Sequence, residues 1–147
     1  MISHFKDNPY WIMDLGASHH VTADLNNLSL YSNYGGPDEI TFGDGAGLKI
    51  NHIGFSIIAT PTRKLNLSNV LHVSYMKNNL ISVSQFCQTN NCSVEFFPFS
   101  FLVKDLSTEA PLVKGLSKGN LYALASQFPI SSTTAVVNLT IKASIDT

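Results

Sequence analysis

Trp11-Ile12-Met13-Asp14-Leu15-Gly16-Ala17-Ser18-His19-His20 carries an apolar segment into a Gly-Ala turn with a single acid between them. Residues 10–14 follow Pro9 and are apolar up to the last position, so they predict a β-strand that delivers one carboxylate into a Leu-Gly-Ala turn. A glycine two residues beyond an acid at a strand end allows the backbone to approach the carboxyl oxygens. Asp14 is therefore the first candidate for chemistry, with Leu15, Gly16 and Ala17 as the turn around it. Alone, an Asp-x-Gly triplet is far more often an ordinary turn than a catalytic one, so the reading depends on the flanking sequence.

Outward from the turn the pattern stays mainly β. Residues 39–42 and 48–50 flank Gly43-Asp44-Gly45-Ala46-Gly47, a hairpin signal. Residues 55–59 alternate in polarity and predict another strand, as do residues 70–73, which end at the polar Lys77-Asn78-Asn79. Leu80, Ile81, Val83 and Phe86 place an apolar stripe on one short helix with Asn79 as its N-cap. Residues 94–103, interrupted by Pro98-Phe99-Ser100, predict two strands and a tight turn, and residues 120–125 a last strand. Beyond Ser126 the pattern fades into a Ser/Thr-rich tail, 126–147.

The composition fits one small domain. Of the 147 residues 44% are apolar and only 13% charged, about half the usual charged share, which favours association over mutual repulsion. Nine basic against ten acidic residues leave no electrostatic footprint for a phosphate backbone, so nucleic acid is not expected as a partner. No apolar run approaches the ~20 residues that span a bilayer, and Lys6-Asp7 interrupt the place of a signal-peptide core, so no membrane and a cytoplasmic location are expected. Cys87 and Cys92 lack the paired spacing of a zinc site and read as small, partly buried residues. His19 and His20 invite a metal reading beside Asp14, but neighbours in a strand point to opposite faces. No metal and no cofactor are expected, and His20 reads instead as a packed or hydrogen-bonded buttress of the turn.

The Asp14 stretch is followed by Ile40-Thr41-Phe42-Gly43-Asp44-Gly45, His52-Ile53-Gly54, Leu67-Ser68-Asn69-Val70-Leu71-His72-Val73 and Asn79-Leu80-Ile81-Ser82-Val83-Ser84-Gln85-Phe86. In this order the blocks resemble the protease region of copia-type LTR-retrotransposon Gag-Pol polyproteins, a retropepsin-like domain also described as the TNT-transposon-type β-barrel domain. Lys118-Gly119-Asn120-Leu121-Tyr122 resembles the start of the Gag-pre-integrase segment. The resemblance implies a small closed retropepsin-like β-barrel with one short helix over residues 10–106, a junction over 107–125, and the tail beyond.

It also implies a mechanism. One such turn supplies one carboxylate, so a retropepsin-like protease forms a homodimer in which two aspartates share a proton and activate a water between them. Asp14 takes that role, Gly43, Asp44, Gly45 and Gly47 form a flap, and a polyprotein peptide is the substrate. Two departures stand against the family pattern. Leu15 occupies the position of a Ser or Thr whose hydroxyl bonds across the dimer, and Ser74-Tyr75-Met76 stands where Pro-Gly-Leu is common. Two readings follow: an aspartic endopeptidase that processes its own Gag-Pol-like polyprotein, or a non-catalytic β-barrel that retains dimerisation or peptide binding.

Overall fold

A computed structural model describes residues 10–41, 45 and 47–125; the tail 126–147, with Gly43 and Asp44 of the expected flap, lies outside the described residues. Strand β1 (Tyr10–Asp14) forms from the apolar run after Pro9, and its burial alternates. Trp11 and Met13 are buried in the core, while Tyr10, Ile12 and Asp14 are half-buried on the opposite face. The chain continues through β2 (Val21–Thr22), a 3-10 turn (Leu25–Asn27), β3 (Leu30–Asn33), β4 (Glu39–Thr41), β5 (Gly47–Lys49), β6 (His52–Ala59) and β7 (Lys64–His72). Next come β8 (Asn79–Ser82), helix α1 (Val83–Asn90), β9 (Cys92–Phe96), β10 (Ser100–Asp105), β11 (Pro111–Lys118) and β12 (Leu121–Ala125).

Ten strands form one sheet in the order β3-β6-β7-β2-β8-β1-β12-β11-β10-β9, and β4 pairs with β5 in a separate hairpin. The expectation of a closed barrel is corrected here: β3 and β9 end the sheet and do not pair with each other. Helix α1 packs against β7, β8 and β9, with Phe86 fully buried in the main core. A helix thus bridges the two halves of the sheet, and its side chains supply the burial that strand closure would have supplied. The stretch 107–125 enters the same sheet as β11 and β12, and β12 lies directly against β1.

The helix begins later than its sequence suggests. Asn79–Ser82 is a strand, parallel to β1, and Ser82 is the N-cap, its hydroxyl accepting from the Gln85 N–H. At the other end Asn91 takes the left-handed conformation, and the Arg63 guanidinium donates to Asn90 O at 2.6 Å while pairing with Asp105 at 2.9 Å. A helix C-terminal carbonyl is thereby satisfied by a cation, the favourable sense for the helix dipole.

β7 serves two clusters. Leu65 and Leu67 are buried in alternation, then Asn69 adopts φ 54° and Val70, Leu71 and His72 are all buried. Asparagine tolerates that left-handed conformation. Together with a register slip in β6 between Gly54 and Ser56, it lets Leu65, Leu67 and Val70 join the main core with Trp11 and Phe101, while Leu71 and Val73 join Val21 and Ile50 in a second one. Ile40 and Leu48 of the β4–β5 hairpin pack against this second cluster.

Gly115 of β11 lies opposite Phe101 of β10, and a Cβ on it would run into the Phe101 ring and stand 2.9 Å from Ala123 O. Gly115→Ala is expected to lower unfolding free energy by about 1–3 kcal/mol in urea titrations, the range for overpacking a close-packed core. Gly35→Ala, where a Cβ meets nothing within 4 Å, should change it by less than about 0.5 kcal/mol.

Candidate functional site

Asp14 ends a strand in the middle of the sheet, and its register partner on parallel β8 is Ser82. β2, next in the sequence, lies on the far side of β8, so residues 15–20 must arch over the end of β8 where it becomes α1. Bonds from both sides hold this arch. Ser82 N–H donates to His20 Nδ1 at 3.0 Å, Leu71 N–H donates to His20 O at 2.9 Å, and Gln85 Nε2 donates to Ser18 O at 3.4 Å. Within the turn, Gly16 N–H donates to Asp14 Oδ1 at 2.8 Å, which fixes one carboxyl oxygen.

Asp14 lies between two clefts. The larger, about 1130 Å³, is lined by Gly16, Ala17, Ser18 and His19 of the turn, by Glu39, Ile40 and Thr41 of β4, and by Ile53, Leu71 and Leu80 beneath. The smaller, about 430 Å³, lies on the other side of Asp14 and is lined by Ile12, Leu15, Leu80, Phe96, Leu121 and Tyr122. Leu15 faces this second, apolar cleft and is 73% exposed. Of the expected flap, Gly45 sits at the hairpin tip with φ 87°, and Gly47 pairs with Thr41. It is strand β4 that walls the large cleft.

Some of the supporting residues carry little signal in the sequence. Asn79 is buried; its Oδ1 accepts from Thr22 Oγ1 at 2.7 Å and from Ala23 N–H at 3.3 Å, and its Nδ2 donates to Tyr10 O at 3.1 Å. One amide therefore ties the start of β1 to β8 and to the segment after β2. A buried Asn must find such partners, since each unmet group costs about 1–3 kcal/mol. His52 and His72 face each other across β6 and β7 with Nδ1 atoms 2.9 Å apart, one donating and one accepting, on register-paired residues. The Cys92 thiol is buried near Phe86 O, and a hydrogen bond between the thiols lowers the pKa of Cys87 and raises that of Cys92. Among the described residues no three His, Cys, Asp or Glu side chains group as metal ligands, and no helix is long and apolar enough to cross a membrane.

The family described as Pol polyprotein, beta-barrel domain matches residues 11–92, more than half of the chain, and that span holds β1, the arch, the hairpin, β8 and α1. This chain belongs to the Pol polyprotein beta-barrel domain family. It is 48% identical over 123 residues to the retrovirus-related Pol polyprotein from transposon RE1 of Arabidopsis thaliana, covering 82% of this chain and 8% of that protein. It is 46% identical over 134 residues to the corresponding polyprotein from transposon RE2 of the same plant, covering 88% of this chain and 9% of that protein. The chain thus spans less than a tenth of the length of these relatives. The resemblance to copia-type retrotransposon Pol polyproteins read from the sequence is borne out. No solved structure matches the chain.

In this Pol polyprotein beta-barrel domain the buttress is His20, 1% exposed. Burial, with the charge of His19 as a smaller cause, lowers its pKa from 6.5 to about 4. Its Nδ1 accepts, so the neutral ring carries its proton on Nε2, which has no hydrogen-bond partner among the described residues. The unfolded state takes up this proton near pH 6.5 and the folded state only near pH 4, so the stability is complete above 6.5 and is lost as pH falls toward 4. The loss should total about 3 kcal/mol. Urea unfolding from pH 7 to pH 4 should show the native chain losing about that much more stability than His20→Asn, which keeps an acceptor but does not titrate; parallel curves would mean that His20 is not held neutral.

Proposed function

We propose that this domain is an aspartic endopeptidase of a copia-type retrotransposon polyprotein, in which Asp14 of two copies forms the reacting pair and a segment of the polyprotein is the substrate. The observation that supports the reading most is the placement of Asp14: at the end of a central strand, with one oxygen fixed by Gly16 N–H, opening on a peptide-sized cleft walled by a β-hairpin strand. An extended peptide would lie along β4 and gain backbone hydrogen bonds from it, and the hairpin tip around Gly45 and Gly47 would close over it as a flap.

Two Asp14 carboxyls facing across a two-fold axis cannot both ionise, so they share one proton. The ionised member takes a proton from a water as that water attacks the scissile carbonyl, and the protonated member polarises the carbonyl oxygen. Both Asp14 turns then need a rigid base, which the arch over β8 supplies. The work would be done in the cytoplasm, as processing of the Gag-Pol-like chain that carries the domain.

Leu15 supports a second reading. It cannot supply the hydroxyl bond between the two turns, and it presents an exposed apolar side chain beside Asp14. A non-catalytic β-sheet domain that keeps self-association or peptide binding would tolerate that change freely.

A fusion of the domain with its upstream polyprotein junction, assayed at mildly acidic pH, separates the two. The expected result is slow processing that vanishes in Asp14→Asn and rises in Leu15→Ser. Restoring one hydrogen bond per protomer is worth about 1–3 kcal/mol per dimer, or about 5- to 150-fold in dimer affinity. No processing until Leu15→Ser is introduced would establish the second reading.

A further inference from the structure

We propose that His20 is a positioning residue whose neutral ring latches the Asp14 turn to the N-cap of α1, and whose protonation frees that turn. The proposal rests on Asp14 being the reacting carboxylate, and it concerns what limits that site on the acid side. Asp14 and Ser82 are register neighbours on β1 and β8. Ser82 has two tasks at this point: its hydroxyl caps α1, and its N–H donates to His20 Nδ1 at 3.0 Å. The helix start and the turn are thereby joined through one imidazole.

That join depends on protonation state by simple donor counting. A neutral ring with its proton on Nε2 offers Nδ1 as an acceptor, whereas a charged ring carries protons on both nitrogens. Two N–H donors would then oppose each other and the bond to Ser82 could not persist. The other links of the arch do not replace it. Gln85 to Ser18 O is exposed and long at 3.4 Å, and Leu71 N–H to His20 O ties the same residue's backbone to β7 and makes no link to α1. Among the described residues the His20–Ser82 bond is the only buried side-chain tie of residues 15–20.

The surroundings give an imidazolium little support. His20 Nε2 is buried with no partner among the described residues. The packed elements β2 and β8 carry no ionisable side chain, α1 carries only Cys87, β7 carries Lys64 and His72, and the turn carries His19 beside the Asp14 end of β1. Burial and His19 keep the ring neutral down to about pH 4, in line with this arrangement. A proton-sharing aspartate pair works in mild acid, so the latch fails at the acid edge of the same range. The acid limb of the activity then belongs to His20 as well as to the carboxyls.

The test is a pH titration of the ¹⁵N-labelled chain from 7 to 3.5, followed at the His20 ring and at the Ser82 and Ala17 amides, with His20→Asn and His20→Leu alongside. In the native chain His20 should be the Nε2–H tautomer, and both amides should shift with the midpoint of its ring. In His20→Asn, whose side-chain oxygen still accepts from Ser82, that midpoint should be absent. With a separate peptide spanning the upstream polyprotein junction as substrate, His20→Leu should lower kcat at least tenfold with KM within twofold, while His20→Asn should recover most of kcat and extend activity to lower pH. Amides that ignore the His20 titration, or a His20→Asn enzyme with an unchanged acid limb, would overturn the latch. Linked amides in a chain that never cleaves its fusion would uphold the latch and reject the protease reading.

Discussion

The parallel pairing of β8 with β1 is the constraint on which the rest of the structure depends. β8 separates β1 from β2, although only residues 15–20 connect those two strands. The chain must therefore pass over the end of β8, and a short segment that crosses a sheet exposes backbone groups that need partners. They find them because β8 ends at Ser82, the N-cap of α1, so that the Ser82 N–H and the Gln85 side-chain amide both face the arch. Asn79 at the other end of β8 fixes the entry of β1 and the exit of β2. Asp14, at the end of β1 just before this arch, lines two clefts while the arch itself is tied to β7 and to the start of α1.

Leu15 puts two physical tendencies in opposition at this turn. In the isolated chain its side chain is largely in water beside a small apolar cleft. Burying it against another surface would be favourable by about 1.5–3 kcal/mol, a gain comparable to that of the hydrogen bonds a hydroxyl would make. Hydrophobic contact lacks direction, however, and two carboxyls that share a proton need their separation fixed closely. The same residue can thus favour association and loosen chemistry, which is why the protease and binding readings part at this side chain and not at Asp14.

Much of the local structure was legible from particular residues. The apolar run after Pro9 marked β1, the glycines at the hairpin marked the turn between β4 and β5, and Pro98-Phe99-Ser100 marked the turn between β9 and β10. Asn79-Leu80-Ile81-Ser82 was misread as helix because a short apolar run followed by a helical stripe has no period of its own. β2 and β3 are too brief to show a pattern, and the left-handed kink at Asn69 interrupts the alternation of β7. The candidate carboxylate and its turn were visible as a motif. The roles of Asn79 and of the His52–His72 pair were not, since a buried amide or imidazole is identified only by partners far away in the chain.

The sequence by itself determined that this is a mainly β domain of the Pol polyprotein type with one carboxylate poised in a Gly-Ala turn, because strand alternation, glycine turns and family blocks are local properties of the chain. Long-range packing decided that the sheet stays open among the described residues, that α1 bridges its halves, that Asp14 stands between two clefts and that Ser82 N–H is the partner of the His20 ring. Those outcomes depend on which strands meet across long loops and on the water they exclude together. Such long-range competition for pairing and burial is not encoded in any single stretch of residues.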